Sequence, residues 1–214
     1  MIRRFASHLF WGSHSPLSAL SCTGLIIMAS NRFAFALVCA GALIWVYGFT
    51  TLVYTAARPI MPTRGRMVIL LFLSTFFCGL FTLFTSILNP LLILGTLFFL
   101  VLVPPLCLSS GFFEASESED IIESVSRALL EAIILSSVII AFSLIREPLG
   151  MGTLSLPGSA QGITELFSSQ DTNANSFFPA RIISVSSGGL LLFGYMTALY
   201  RYFKEQIGGV SGRW

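Results

Sequence analysis

The chain has 214 residues, of which 55% are hydrophobic and only 10% are charged, and its formal net charge is +2. This composition leaves too few polar side chains to cover an ordinary soluble domain. The mild positive charge includes no basic run, which argues against nucleic-acid binding. The four cysteines all lie in apolar sequence, so a secreted disulfide framework is not expected. We therefore interpret the chain as an integral membrane protein in contact with lipid.

Long uncharged stretches place the membrane spans. A spanning helix needs about 20 predominantly apolar residues, and no charge occurs from Phe33 to Ala57 or from Met67 to Phe113, the second stretch being long enough for two spans. We predict an all-α fold with one membrane domain over residues 1–214 and six transmembrane segments: Leu17–Ala29, Phe33–Thr55, Met67–Leu88, Leu91–Val103, Ser124–Ile145 and Ile182–Tyr200.

The first and fourth segments are short and are bounded or interrupted by proline. Pro16 precedes the first, Pro90 opens the fourth, and Pro104–Pro105 interrupts the fourth just before Cys107. Proline removes a backbone donor, and unpaired backbone at membrane depth is tolerated only where protein buries it or a cavity is lined. Two broken segments in equivalent places indicate an inverted 3+3 repeat, about 1–88 and 89–214, with a functional site near the midplane.

Cys22 and Cys107 occupy corresponding places in the two broken segments. A folded inverted repeat brings both thiols together inside the bilayer, so these two residues are the candidate metal ligands and cofactor-binding residues. Cys39 and Cys78 lie in long, unbroken spans, where we expect them to pack as small buried hydrophobes. For the same reason, a single site formed by all four cysteines is not expected.

The distribution of Lys and Arg predicts that both termini are cytoplasmic. With the N-terminus inside, nine basic residues are cytoplasmic and three, Arg32, Arg146 and Arg181, are outside. Tyr47 and Tyr54 lie near predicted span ends, as interfacial aromatic residues do. The N-terminus also resembles a secretory signal, with a lipoprotein-like box ending at Cys22, but the apolar run continues past that cysteine, which argues against cleavage.

Three polar features near the predicted spans leave alternatives open. Glu131 is the one acidic residue predicted within a span, which makes it a candidate for an ion pathway, although Arg127 lies on the same helical face and can pair with it. Gly150–Gly152 follows a span rather than a strand, which predicts a turn at the membrane surface instead of a nucleotide-binding loop. Arg146 and Glu147 either fix that turn, contact a partner or simply lie at the interface.

A family resemblance rests mainly on the segment Arg146–Leu154, which reads R-E-P-L-G-M-G-T-L and resembles the R-E-x-L-G-x-G-T-L motif of the RnfE/NqrD family. Cys107-x-x-x-Gly111-x-x-Glu114-Ala115 is similar to a second family motif, and the segment from Phe10 to Cys22 is a weaker third match. Thr23 and Leu106 depart from the pattern, which has proline and asparagine at these places. The chain thus resembles a divergent member.

The resemblance implies a [2Fe-2S] cluster inside the membrane. Such clusters are held by four thiolates, of which Cys22 and Cys107 would supply half, while a paralogous RnfA/NqrE-type subunit of opposite topology would supply the others. The chain would then have no catalytic residue of its own. It would be a non-autonomous subunit of an Rnf- or Nqr-type oxidoreductase in the inner membrane that translocates Na⁺ or H⁺ and includes flavin-bearing subunits. The alternative is a small inverted-repeat transporter or channel without a redox centre.

The predicted topology is tested by reporter fusions. Fusions at the loop around Thr63, at the loop around Glu117 and at Trp214 should report the cytoplasm, because the positive-inside bias places all three there. Fusions within 158–175 should report the outer side. Thr63 and Trp214 on opposite sides would contradict the six-span inverted repeat.

Overall fold

The structure is a computed structural model and describes residues 20–60, 65–109, 121–158, 163–168 and 181–210. These residues are mostly helical. The elements, in chain order, are α1 (Leu20–Ala29), α2 (Phe33–Ala57, extended by a 3-10 turn Arg58–Ile60), α3 (Arg66–Leu88), α4 (Pro90–Leu100), α5 (Val103–Ser109), α6 (Ile121–Met151), β1 (Thr153–Pro157), β2 (Ile163–Ser168), α7 (Arg181–Ser184) and α8 (Ser186–Val210).

Several sequence predictions concern residues outside this described part. They include Pro16, the segment Phe10–Gly12, the motif residues Gly111 and Glu114, the acidic loop, and the loop and terminal positions chosen for reporter fusions. The predicted first span begins at Leu17, and its described part is α1.

Three helices are long and apolar enough to cross a membrane: Phe33–Ile60, Arg66–Leu88 and Ile121–Met151. Two further apolar helices, Pro90–Leu100 and Ser186–Leu199, are shorter. The expected helical membrane fold is confirmed at this level, whereas the six-span inverted repeat stays a prediction. On α3 the side chains of Phe72, Phe76 and Ile87 are largely exposed, the last at 83%. Such a surface is costly in water and is accommodated by lipid or by another apolar subunit.

The centre of the fold is the packing of α2 along α6. The two helices run antiparallel, since Phe33 bonds to Glu147 near one end and the Ser136 hydroxyl donates to the Ala40 carbonyl, at 3.2 Å, further along. Small buried residues on both helices, including Ala36 and Ala132, allow the backbones to approach closely. Close packing of small residues is how helices associate in a bilayer, where apolar burial drives little.

The fourth predicted segment is broken, but not at its prolines. Helix α4 ends at Leu100, a short turn follows at Val101–Leu102, and Pro104 and Pro105 lie in the first turn of the next helix, α5. Proline is tolerated there because the first N–H groups of a helix have no partner within it. The interruption therefore exists as expected, and the prolines begin a new helix instead of ending the old one.

The region after α6 differs from the prediction. The span was expected to end at Ile145, but α6 continues to Met151 and includes Pro148. Gly150 and Met151 still lie within the helix, and Gly152, directly after it, has φ 68 and donates its N–H to the Pro148 carbonyl at 3.0 Å. The turn expected over Gly150–Gly152 is thus found at Gly152, and its place at the membrane surface stays a prediction.

Two strands were not predicted. β1 and β2 pair antiparallel directly after α6, with an irregularity in register between Leu154 and Ser155. Both strands are short, five and six residues, and they lie among glycine, proline and serine. The period-two pattern that marks a strand has little length to develop there.

Candidate functional site at the broken helices

Cys22 and Cys107 lie in one apolar core. Cys22 is on α1 and Cys107 is on α5, and these two short helices pack against each other. Neither thiol reaches the surface of the isolated chain, since the residues are 0% and 4% exposed. The two broken segments that the sequence singled out therefore bring their cysteines into the same part of the protein.

Cys39 and Cys78 belong to the same core, which the sequence did not predict. Both are buried, as expected of small hydrophobes. Cys39 lies within electrostatic reach of both Cys22 and Cys78. Cys78 in turn lies within electrostatic reach of Cys107. Each cysteine therefore has another cysteine nearby in the interior. The Cys78 thiol donates to the Leu100 carbonyl at 3.3 Å, and this contact satisfies a carbonyl at the end of α4.

The four cysteines are nevertheless spread out. Within the described ranges, no three His, Cys, Asp or Glu side chains lie close enough together to hold a metal ion. A four-cysteine site within this chain thus has no support in that part of the structure. The same finding carries no weight against a site whose ligands come from two chains.

Tyr47 is a site residue that the sequence analysis assigned to the membrane interface. Its side chain is 2% exposed and lies close to the Cys107 thiol. Tyr54, about two turns further along α2, is also buried rather than interfacial. Only the helical spacing of Tyr47 and Cys39 on α2, which places both on the core face, could have signalled this position.

Glu131 also faces the core. Its side chain is 9% exposed, one carboxylate oxygen has no hydrogen-bond partner among the described residues, and both Cys107 and Arg127 lie within electrostatic reach. The expected proximity of Arg127 and Glu131 is therefore present. Carboxylates at membrane depth are costly and mark functional positions by default.

Arg146 points inward and is 2% exposed. Its Nε donates to the Ile183 carbonyl at 3.0 Å, and its Nη2 donates to the carbonyls of Ser184 at 2.9 Å and Val185 at 3.1 Å. Its Nη1 donates to the Ile27 carbonyl and to the Ser30 hydroxyl, the latter at 2.9 Å. A guanidinium has five N–H donors, so every donor of Arg146 has an acceptor.

Glu147 binds the N-terminal end of a helix, whereas Arg146 binds carbonyl groups. Its Oε2 accepts the Phe33 N–H at 2.6 Å, and the Ser155 hydroxyl accepts the Ala34 N–H at 3.4 Å. Both N–H groups belong to the first turn of α2, where no helical partner exists. Arg32, the N-cap residue, supplies no side-chain cap of its own. Glu147 of α6 and Ser155 of β1 thus cap the first turn of α2.

Arg146 and Glu147 together form hydrogen bonds to the ends of three helices, α1, α2 and α7. Each side chain has the charge opposite to the partial charge of the groups that it binds. The carbonyl end of α1 carries partial negative charge and binds the guanidinium, as do the carbonyls of Ile183–Val185, while the N–H end of α2 carries partial positive charge and binds the carboxylate. The sequence left open whether Arg146 and Glu147 fix the turn at Gly150–Gly152, but the bonds found run instead to the break between α1 and α2 and to the residues Ile183–Val185. Gly189 leaves the necessary room, since a Cβ there would lie 2.7 Å from Arg146 Cζ.

Apolar helices long enough to cross a bilayer and apolar outer faces define the class of this chain as a helical membrane protein. No protein-family model and no curated protein sequence matches it.

The Glu147 cap is tested by two substitutions at the same position. Glu147→Leu should be less stable than Glu147→Gln by about 1–2 kcal/mol, because glutamine keeps an acceptor for the Phe33 N–H and leucine leaves that group unpaired. The measurement is reversible unfolding in detergent. At exposed Glu165 on β2, the Leu and Gln variants should agree within about 0.5 kcal/mol. Equal stability of the two Glu147 variants would show that the cap contributes nothing.

Proposed function

We propose that the chain is a membrane subunit of an ion-translocating oxidoreductase complex of the cytoplasmic membrane. In this proposal it carries electrons through a [2Fe-2S] cluster that it shares with a paralogous subunit of opposite topology, and flavin-bearing subunits complete the complex. The observation that carries the proposal is that two broken helices each bring one cysteine, Cys22 and Cys107, into a single apolar core. The sequence motif at Arg146–Leu154 supports the same family.

The residues present suit half of such a site. Cys22 and Cys107 are soft thiol ligands in dry surroundings, and thiolates are the ligands that iron–sulfur clusters prefer over oxygen. The cluster supplies a one-electron carrier that accepts an electron from a donor subunit and passes it to an acceptor subunit. Tyr47 lies close to Cys107, and the apolar core would exclude water from the sulfurs.

Sharing the cluster has a structural requirement. Both thiols are covered in the isolated chain, so thiolates from another subunit reach the same iron atoms only if α1 and α5 part when that subunit docks. The described parts of these helices are ten and seven residues, and helical pieces of this length shift at an interface when a partner docks.

The runner-up is a small inverted-repeat transporter or channel without a redox centre. In such proteins the carbonyl ends of broken helices coordinate the transported cation. Here the Ile27 carbonyl, near the end of α1, is already bound by Arg146. That end therefore offers a resident guanidinium in the place where a transported cation would sit, which favours the redox proposal.

Iron content separates the two proposals. Two thiolates fill half the ligand positions of a [2Fe-2S] cluster, so the purified chain alone should hold no stoichiometric iron. Co-expression with the paralogous partner should give about two irons per heterodimer and a reduced-state paramagnetic resonance signal. An iron-replete single chain, or an iron-free heterodimer, would contradict the shared site.

A serine series separates ligands from packing residues. Cys22→Ser and Cys107→Ser should each abolish the cluster, because a protonated hydroxyl is a poor replacement for a thiolate. Cys39→Ser and Cys78→Ser are matched controls in the same core and should keep the iron, at a cost of about 1 kcal/mol of stability. Iron and the resonance signal are measured per assembled complex. A normal cluster in Cys22→Ser would overturn the ligand assignment and favour the transporter.

A further inference from the structure

We propose that Arg146 is a positioning residue for Cys22: by holding the carbonyl end of α1, it sets where the Cys22 thiol lies. The importance of Cys22 rests on the proposed function, whereas the positioning itself is a property of this chain and can be measured without a cluster. The inference begins from the complete set of five donors that Arg146 gives to α1, to Ser30 and to the residues ending α7.

The connection from Arg146 to Cys22 is short. Ile27, whose carbonyl accepts from Arg146, lies in the same ten-residue helix as Cys22 and about one and a half turns beyond it. The Ser30 hydroxyl receives a bond from Nη1 and donates to the same Ile27 carbonyl at 3.2 Å. A shift or rotation of α1 that moves Cys22 must therefore break bonds to the guanidinium.

Arg146 itself is held by a stable frame. It belongs to α6, a helix of 31 residues that packs along α2. The neighbouring Glu147 fixes the first turn of α2, at Phe33. The position of Arg146 relative to the core is thus set by the long helices α6 and α2, while the described part of α1 has ten residues and depends on its contacts.

The space around the guanidinium is shaped for it. A Cβ on Gly189 would lie 2.7 Å from Arg146 Cζ and 2.8 Å from Nη2, and a Cβ on Gly188 would lie 1.8 Å from the Ile182 carbonyl oxygen. The start of α8 can approach the arginine and α7 only because both residues lack a side chain. The five acceptors and these two glycines form one built site for a planar guanidinium.

Lysine cannot replace this guanidinium. An ammonium group keeps the charge but has three donors on one atom, whereas the acceptors of Arg146 lie on two separate pieces of chain, the end of α1 and the residues Ile183–Val185. A lysine there satisfies one group of carbonyls and releases the other. Arg146→Lys therefore tests position with the charge retained, and Arg32→Lys, in the turn directly after α1, is the matched control.

The first measurement uses the full-length chain in membranes without a cluster. Alkylation of Cys22 should be about tenfold faster in Arg146→Lys than in the wild type, because losing bonds to a charged group of this kind raises the population of the displaced helix about that much. Cys39, on α2, should be unchanged. Ser30→Ala, which removes one acceptor, should shift Cys22 in the same direction and by less. If the Arg146→Lys protein does not accumulate in membranes, labelling of Cys22 in Ser30→Ala provides the same test.

The second measurement uses the heterodimer with its cluster. Arg146→Lys should retain about two irons but change the resonance line shape and the midpoint potential, and Arg32→Lys should change neither. Unchanged Cys22 labelling in Arg146→Lys and Ser30→Ala would overturn the inference, as would equal acceleration at Cys22 and Cys39, which indicates general loosening. A wild-type heterodimer without iron would contradict the proposed function. The labelling of Cys22 would still test whether Arg146 positions that residue.

Discussion

Every break in a membrane helix leaves unpaired N–H and C=O groups, and hydrocarbon offers them no partner. This constraint explains the polar residues of the present fold better than any other. At the break between α1 and α2, Arg146, Glu147 and Ser155 supply the missing partners. Between α3 and α4, the Asn89 side chain accepts the Leu92 N–H at 3.3 Å and donates to the Gly158 carbonyl. The Cys78 thiol donates to the Leu100 carbonyl at the end of α4.

The same constraint ties the hairpin to the helices. Ser155 on β1 and Gly158 just after it bond to the start of α2 and to Asn89, which precedes α4. A short pair of strands thus joins two helix ends that are distant in sequence. In this fold the polar contacts described here lie mainly at helix ends, while the long helices also contribute close apolar packing.

The sequence predicted the features that depend on composition and local pattern. The long apolar helices, the two broken segments and the burial of all four cysteines could be read from uncharged runs and proline positions. It did not predict the inward direction of Arg146, because the Ile27 carbonyl that satisfies it is 119 residues away in the chain. An arginine next to an apolar run has the same local pattern whether its partners are lipid headgroups, water or a distant helix end.

The remaining misses have the same origin. Tyr47 was assigned to the interface from its place near a span end, but whether a tyrosine faces water or a thiol depends on which helix packs on that side. The common core of Cys22, Cys39, Cys78 and Cys107 depends on how α1, α2, α3 and α5 meet. Residue spacing within one helix defines a face, and it does not identify the neighbour of that face.

The sequence distance between the first turn of α2 and its cap also sets an order of events during synthesis. Phe33 and Glu147 are separated by 114 residues, and ribosomes add about 5–20 residues per second, so Phe33 has been made roughly 6–23 s before its cap. During that interval the first turn of α2 and the carbonyl end of α1 have only water, lipid headgroups or the insertion machinery as partners. A chain truncated before Arg146 therefore lacks the groups that bind the carbonyl end of α1 and the first turn of α2.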